Sequence, residues 1–394
     1  MIYTHCCPVE ITKMNIWSLY LLIYALMAFA FLWYRYMFIW SYEKEKLGNY
    51  QGKVSIIIPF YNEKPELLVH AVTSAFQCHG DKEIIVVDDG STDIQSYLYL
   101  KKLQQQFSFQ LIRYDQNMGK RYAQLVGFKI AKGDIIMTLD SDTILNKNAV
   151  VNLIKPFSDE QVGATTGQLR ILNYHKNFLT RLISARYWNA FNFERQSQSS
   201  LNAIVCCSGP ISAYRASLIK EIAHDYSAQT FMGKKCTYGD DRHLTTLILK
   251  KNYKIKYVKN AVAYTWAMET WKSFWKQQTR WKKSWLRETY LVSQFMFKQS
   301  STLSFEILFN SFITFFSIFA RIGLIVTLVM HPSYIFFAIF ILTLMGILHS
   351  LYTLFNKPSY FIYSVLYGFV HAFFVYWTLF YAILTFKDVR WGTR

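Results

Sequence analysis

VSIIIPFYNE (residues 54–63), EIIVVDDGS (83–91) and DIIMTLDSD (134–142) decide the fold. Each opens on a short β-branched run and closes on polar turn residues, as strands do. Longer helical patterns lie between them, at 66–77 and 121–131. Strands that alternate with helices build a mostly parallel α/β sheet. In such a sheet ligands bind beyond the carboxyl ends of the strands, so the functional residues should come directly after the apolar runs.

The residues at those strand ends are largely acidic. The first run leads into Pro59-Phe60-Tyr61-Asn62-Glu63, the second into Asp88-Asp89-Gly90-Ser91, and the third ends in Asp140-Ser141-Asp142. Carboxylates gathered on one sheet edge need a counter-ion. A hard divalent cation with oxygen ligands meets that need, and Mg²⁺ commonly takes only one or two carboxylates plus substrate phosphates. A lone Asp-x-Asp is a common surface turn. Directly after an apolar strand, beside two other acidic strand ends, it points to a metal–diphosphate site. Gly119-Lys120-Arg121 opens a helix, where backbone N–H groups and two cations suit phosphate. Gly239-Asp240-Asp241-Arg242 precedes a helical run over 243–250. One of these carboxylates is expected to cap the helix and the other to enter the cleft as a general base.

The rest of the chain reads as membrane. Of 394 residues, 52% are hydrophobic, 18% aromatic and only 17% charged, which excludes a disordered or fibrous protein. The formal charge of +18 suits a polyanionic substrate or an anionic leaflet, with nucleic acid as the rival explanation. The six cysteines, Cys6 and Cys7 among them, form no Cys-x-x-Cys pair, so free thiols are expected rather than a zinc site or disulfides.

Residues 16–33 carry no charge and are long enough to cross a bilayer. Tyr34-Arg35-Tyr36 comes next in place of a cleavage site, and with Lys44 and Lys46 it places the next segment in the cytoplasm. Three further apolar stretches, 307–330, 334–355 and 360–386, are broken by His331-Pro332 and Asn356-Lys357-Pro358. Glu306 and Arg321 are the charges at the edge of or inside the first; Arg321 faces protein, a headgroup or a polar channel, or else snorkels. Lys387, Arg390 and Arg394 favour a cytoplasmic end. One stretch should therefore fail to cross fully, and 360–386, with Pro358 and Gly368 to break it, is the expected one.

Between these parts lies a helix over 271–290 with four Trp and six basic residues. Trp271, Phe274, Trp275, Gln278, Trp281 and Trp285 project on one face. Lys272, Lys276, Arg280, Lys283 and Arg287 project on the other, with Lys282 as the exception. That pattern describes a helix lying in the membrane interface.

In order, Tyr61-Asn62-Glu63, Asp88-Asp89-Gly90-Ser91, Gly119-Lys120-Arg121, Asp140-Ser141-Asp142, Gly239-Asp240-Asp241-Arg242 and Gln277-Gln278-Thr279-Arg280-Trp281 resemble the processive family-2 glycosyltransferases: cellulose, chitin and hyaluronan synthases. Gln-x-x-Arg-Trp is the most specific of these motifs. Cys207-Ser208-Gly209-Pro210, Tyr214-Arg215, Phe231-x-Gly233, the run from Lys235 to Thr245 and the final Trp391-Gly392-Thr393-Arg394 are similar to hyaluronan synthases in particular.

The resemblance covers about residue 50 to the end. It implies a GT-A fold and a UDP-sugar donor. It implies that Tyr61, Glu63, Asp88 and Lys120 hold the uridine and diphosphate, that Asp140 joins the nucleotide site, and that Asp142 binds Mg²⁺ or Mn²⁺. Asp241 would be the acceptor base, and Gln277, Arg280 and Trp281 would bracket diphosphate and acceptor. Residues 231–236 would form a mobile loop over the nucleotide.

The expected organisation is a tail (1–14), a transmembrane helix (15–40), a cytoplasmic GT-A catalytic domain (50–265), an interfacial region (266–300), transmembrane or channel helices (305–386) and a tail (387–394). The expected activity is polymerisation of UDP-GlcNAc and UDP-GlcA into hyaluronan, extruded through its own membrane segments. A chitin-type synthase and a non-processive lipid-directed transferase are the alternatives. The expected partners are the two donors, the growing polysaccharide and membrane lipids, with no nucleic acid.

Overall fold

The structure, a computed structural model, describes residues 16–43 and 47–387. The first tail, residues 388–394 of the second, Cys6, Cys7, Lys44, Lys46, Arg390 and the closing Trp391–Arg394 motif lie outside the described residues. The chain opens with helix α1 (Ile16–Glu43) and enters the sheet at β1 (Val54–Phe60). All seven β1 residues are buried, as expected of a strand covered on both faces. Next come α2 (Pro65–Gln77), β2 (Lys82–Asp88), α3 (Gln95–Leu103), β3 (Gln110–Arg113), α4 (Lys120–Ile130) and β4 (Ile135–Thr138).

These four strands are parallel, in the order β3-β2-β1-β4. The chain winds outward from β1 to β3 and then returns to the other side of β1. That reversal makes a crevice at the carboxyl ends of β1 and β4, the place where such sheets bind ligands.

The sheet then turns mixed. It continues through β5 (Ile144–Leu145), α5 (Ala149–Ile154), β6 (Val162–Ile171), α6 (Phe178–Asn189), a π-helical turn (Ala190–Glu194), α7 (Arg195–Ser200), β7 (Ser212–Arg215) and α8 (Ala216–Ser227). A hairpin of β8 (Thr230–Phe231) and β9 (Lys234–Lys235) leads to α9 (Asp240–Lys250) and β10 (Lys254–Thr265). The eight-stranded order is β3-β2-β1-β4-β7-β6-β10-β5, with β7 antiparallel to both neighbours and β5 antiparallel to β10.

Four helical segments are long and apolar enough to cross a membrane: Leu19–Tyr42, Ser301–Met330, Pro332–Asn356 and Pro358–Leu384. They contain α1, then α11 (Ser301–Met330), α12 (Ile335–Asn356), and the pair α13 (Phe361–Val370) and α14 (Trp377–Leu384). Between the sheet and these helices runs α10 (Trp271–Ser293). Trp33, Trp40, Phe336 and Phe355 stand exposed on the apolar helices, a surface suited to lipid rather than water.

The structure corrects two expectations here. Residues 361–384 are not broken: Pro358 sits in the 3-10 turn that precedes α13, and α13 and α14 join through a π-helical turn, His371–Val375. Gly368 is a packing residue. A Cβ on it would lie 3.8 Å from the Gly346 Cα of α12, so the two glycines let these helices approach closely. Arg35 is not a flanking surface charge. It is buried and paired with the fully buried Glu306 of α11, which also accepts from Gln198 at 3.1 Å and Asn310 at 2.7 Å. Removing either partner of such a pair strands a buried charge. Arg321, by contrast, faces protein, the first of its expected surroundings, with its guanidinium 3.5 Å from the Tyr376 ring centre.

Candidate active site

The loops after β1 and β2 are tied together before any ligand arrives. Phe60 and Asp88 are register partners, so the two loops leave the sheet side by side. Asn62 adopts a left-handed φ of 48°, and its Oδ1 accepts from the Thr92 and Asp93 N–H groups at 2.9 and 3.2 Å. Asn is among the few side chains that tolerate this conformation. Asp88 is fully buried. It accepts from Ser91 N at 2.9 Å and lies 3.5 Å from Arg113, so it shapes the turn it belongs to.

Its neighbour Asp89 organises the next loop. It accepts from Met118 N at 2.9 Å, Gly119 N at 3.1 Å, Tyr114 OH at 3.0 Å and Asn117 Nδ2 at 3.0 Å. Burial raises the pKa of Asp89 despite these donors. Gly119, with φ 93°, then turns the chain into α4.

Lys120 opens α4 and reaches across the crevice. Its Nζ lies 2.6 Å from Asp140 Oδ1 and 3.3 Å from Asp240 Oδ2. Burial alone would lower its pKa; the Asp140 and Asp240 carboxylates outweigh that and raise it. Glu63 accepts from the Ser141 hydroxyl at 2.7 Å, which joins the β1 loop to the β4 loop. Tyr61 is half-buried beside it.

Gly239, at φ 75°, is the N-cap of α9, and Asp241 Oδ1 accepts from the first-turn N–H of Arg242 at 2.7 Å. One carboxylate thus serves the helix start as expected, while Asp240 turns to Lys120. Burial raises the pKa of Asp240, but Lys120 and Arg121 more than offset it and the net shift is downward. Asp241 is shifted upward by burial and by Asp240. Its Oδ2 accepts from Gly209 N at 3.3 Å.

A Cβ on Gly209 would lie 3.6 Å from Asp241 Oδ2 and 3.8 Å from Asp140 Oδ2. Both carboxylates thus converge on a backbone without a side chain. Asp142 is half-buried just beyond Asp140, with the Thr143 hydroxyl 3.4 Å from its Oδ1.

Helix α10 closes the site. Its first turn is capped by Thr270, which accepts from Ser273 N at 3.2 Å. Gln277 is buried, Arg280 lies within electrostatic reach of Asp240, Asp241 and Asp140, and Trp281 is exposed. The basic face of this helix is divided along its length: Lys272 and Lys276 are exposed. Lys283 and Arg287 are buried, and Arg287 Nη2 donates to Tyr238 O at 2.7 Å. The catalytic unit covers the C-terminal half of that face. On the opposite side Trp271 and Trp275 pack on Phe374, and Trp285 on Phe315. The helix therefore bridges the sheet and the apolar helices. The expected loop over 231–236 is a hairpin turned at Met232 and Gly233, and Phe231 packs edge-on against Tyr290 and Phe386.

Residues 55–223 match the Glycosyl transferase family 2 model. The chain is 33% identical over 346 residues to an N-acetylglucosaminyltransferase of Azorhizobium caulinodans, covering 87% of each protein. The chain belongs to glycosyl transferase family 2. This family 2 chain is also 33% identical over 376 residues to a hyaluronan synthase of Streptococcus pyogenes, covering 90% of the chain and 86% of the relative. Its fold is similar to that of a mannosyltransferase of Pyrobaculum calidifontis solved with GDP-Man and Mn²⁺. The TM-score is 0.60 at 16% identity, over 89% of this chain and 99% of that one. The fold of this family 2 enzyme is GT-A, joined to apolar helices.

Motif reading brought together Asp140, Asp241 and Lys120 and placed Arg280 toward them. It quoted Asp89 without giving it a role of its own, and it did not single out Arg113 or the buried set of Glu288, His243 and Gln229. Glu288 accepts from Gln229 Nε2 at 2.8 Å and Arg287 Nε at 3.1 Å, with His243 Nδ1 3.1 Å away. Asp89 had a signal in the doubled Asp-Asp. The Glu288 set had none, because its members are 14 and 45 residues apart.

Proposed function

We propose that this enzyme is a processive membrane polysaccharide synthase that transfers GlcNAc and GlcA from UDP-sugars and extrudes hyaluronan through its apolar helices. One observation carries the reading. The helix that holds Gln277, Arg280 and Trp281 packs on the acidic crevice through one face and on two apolar helical segments through the other. An acceptor end held there stands at the entrance to the membrane part. A transferase that releases its product into water gains nothing from that junction.

In this reading Tyr61, Glu63, Asp88, Lys120 and Asp140 form the nucleotide site. Asp241 takes the proton of the acceptor hydroxyl. Its raised pKa makes it a better base than an exposed carboxylate. Arg280 faces the charge that develops on the departing diphosphate, and preorganised cations stabilise such charge in a dry site. Trp281 offers its face to a pyranose ring.

The donors near Asp142 are hard oxygens. Among the described residues no three of His, Cys, Asp and Glu gather as a metal cage. One or two carboxylates completed by substrate phosphates is the arrangement Mg²⁺ accepts, so Asp142, beside Asp140, fits Mg²⁺ or Mn²⁺. Such an ion would supply charge neutralisation for the diphosphate. The catalytic domain would then be cytoplasmic, where nucleotide sugars are, with anionic lipids facing the basic surface.

A chitin-type product is the second reading, favoured by the equal identity to the Azorhizobium relative. Turnover with UDP-GlcNAc alone, UDP-GlcA alone, and both decides. High-mass polymer only with both donors is the expected result; polymer from UDP-GlcNAc alone sinks the hyaluronan reading.

A further inference from the structure

A second polar cavity of about 440 Å³ opens between β6 and β10, and no residue assigned above to the catalytic cleft lines it. Gln168 and Arg170 alternate along β6 and so share one face of the sheet, with Tyr264 the register partner of Arg170 on β10. Asn192 of the π-helical turn, Asn152 of α5 and Lys259, at the register shift of β10, are among the other residues that line it.

Gln168 is 2% exposed, and its amide has no hydrogen-bond partner among the described residues. Its amide atoms are not sealed off from solvent, and they are open to the cavity that the residue lines. Asn192 is 4% exposed; its Nδ2 donates to Trp188 O at 2.9 Å, which leaves Oδ1 to the cavity. No Asp or Glu lines the space, while Arg170 and Lys259 do. Neither cation makes an ion pair among the described residues.

The chemistry of the lining names the ligand. Amides both donate and accept, and sugar hydroxyls use both roles. A bare phosphate uses donors only and would leave the amide oxygens unmatched. The Tyr264 ring can lie under the apolar face of a pyranose. Two uncompensated cations call for an anionic group. The volume falls at the small end of the roughly 300–1,000 Å³ typical of ligand pockets.

We propose that this cavity is a saccharide site outside the catalytic cleft, for a mono- or disaccharide that carries a carboxylate or a phosphate. The proposal does not depend on which glycan the enzyme makes.

The test uses the full chain in nanodiscs, with saturating UDP to fill the nucleotide cleft. Ligand-observed saturation-transfer NMR then monitors glucuronate, GlcNAc 1-phosphate, neutral GlcNAc and glycerol 3-phosphate. Signals from an acidic sugar should persist with UDP present, and the stronger of the two tells carboxylate from phosphate. Arg170→Ala/Lys259→Ala, at solvent-reachable positions, should weaken the acidic sugars about tenfold or more, while UDP binding and melting stay at wild-type values. Gln168→Leu should weaken neutral and acidic sugars alike. Loss of every saccharide signal under UDP, or signals unchanged in both variants, overturns the proposal. So does glycerol 3-phosphate competing as well as the sugars, which would mark a lipid-headgroup site.

Discussion

Glu288→Gln removes one charge and almost no volume, and the surroundings of Glu288 set the size of the effect. The carboxylate is 2% exposed and sits among Gln229, Arg287 and His243. Burial alone would raise its pKa; the bond to His243 and the charges of His243 and Arg287 outweigh that and hold it at about 2, against an ordinary 4.5. A carboxyl held that low contributes about 3 kcal/mol to stability at neutral pH. Stranding the Arg287 charge gives a cost of the same order, about 3–5 kcal/mol.

The direction of the shift sets the sign. The stabilisation is present above the unfolded value near 4.5 and is lost as the pH falls through about 2. The gap between the wild type and Glu288→Gln should be full at pH 7 and shrink across that window. Thermal unfolding of both proteins in the same detergent, from neutral pH to about pH 3, measures it. The variant should melt about 6 °C lower or more at pH 7. Equal melting at pH 7, or a gap as wide at pH 3 as at pH 7, refutes the reasoning.

Asp241→Asn should leave UDP binding intact and cut turnover at least ~10²-fold, the low end for loss of a general base; a collapse of UDP affinity with normal residual turnover would make Asp241 a binding residue. Asp142→Ala should abolish turnover that depends on a divalent cation, and unchanged activity with unchanged metal dependence would remove the metal assignment. Gly209→Ala should fold normally, because its Cβ would make ordinary contacts at 3.6 and 3.8 Å. Turnover should nonetheless fall about tenfold, a barrier increase of about 1.4 kcal/mol, as a methyl enters the space between Asp140 and Asp241; wild-type turnover would show that the acceptor does not pass there.

The sequence by itself determined three of the four parallel strands, β1, β2 and β4, but not the short β3. Its β-branched runs are local, and each is succeeded at once by the polar residues that the strand end presents. The same locality made the acidic strand ends, the Gly119-Lys120 helix start and the apolar segments legible, since hydropathy over about 20 residues is enough to identify a span. Tertiary structure alone decided which carboxylates meet. Lys120 neutralises Asp140 and Asp240, which lie 20 and 120 residues away along the chain, and so leaves Asp241 as the acid with the raised pKa. It also decided that Arg35 lies inside the protein, because its partner Glu306 is 271 residues distant. A helical projection of α10 could show two unlike faces but not what covers them. The basic one is exposed at Lys272 and Lys276 but buried at Lys283 and Arg287, where the neighbouring Glu288 and the Tyr238 carbonyl satisfy the Arg287 guanidinium.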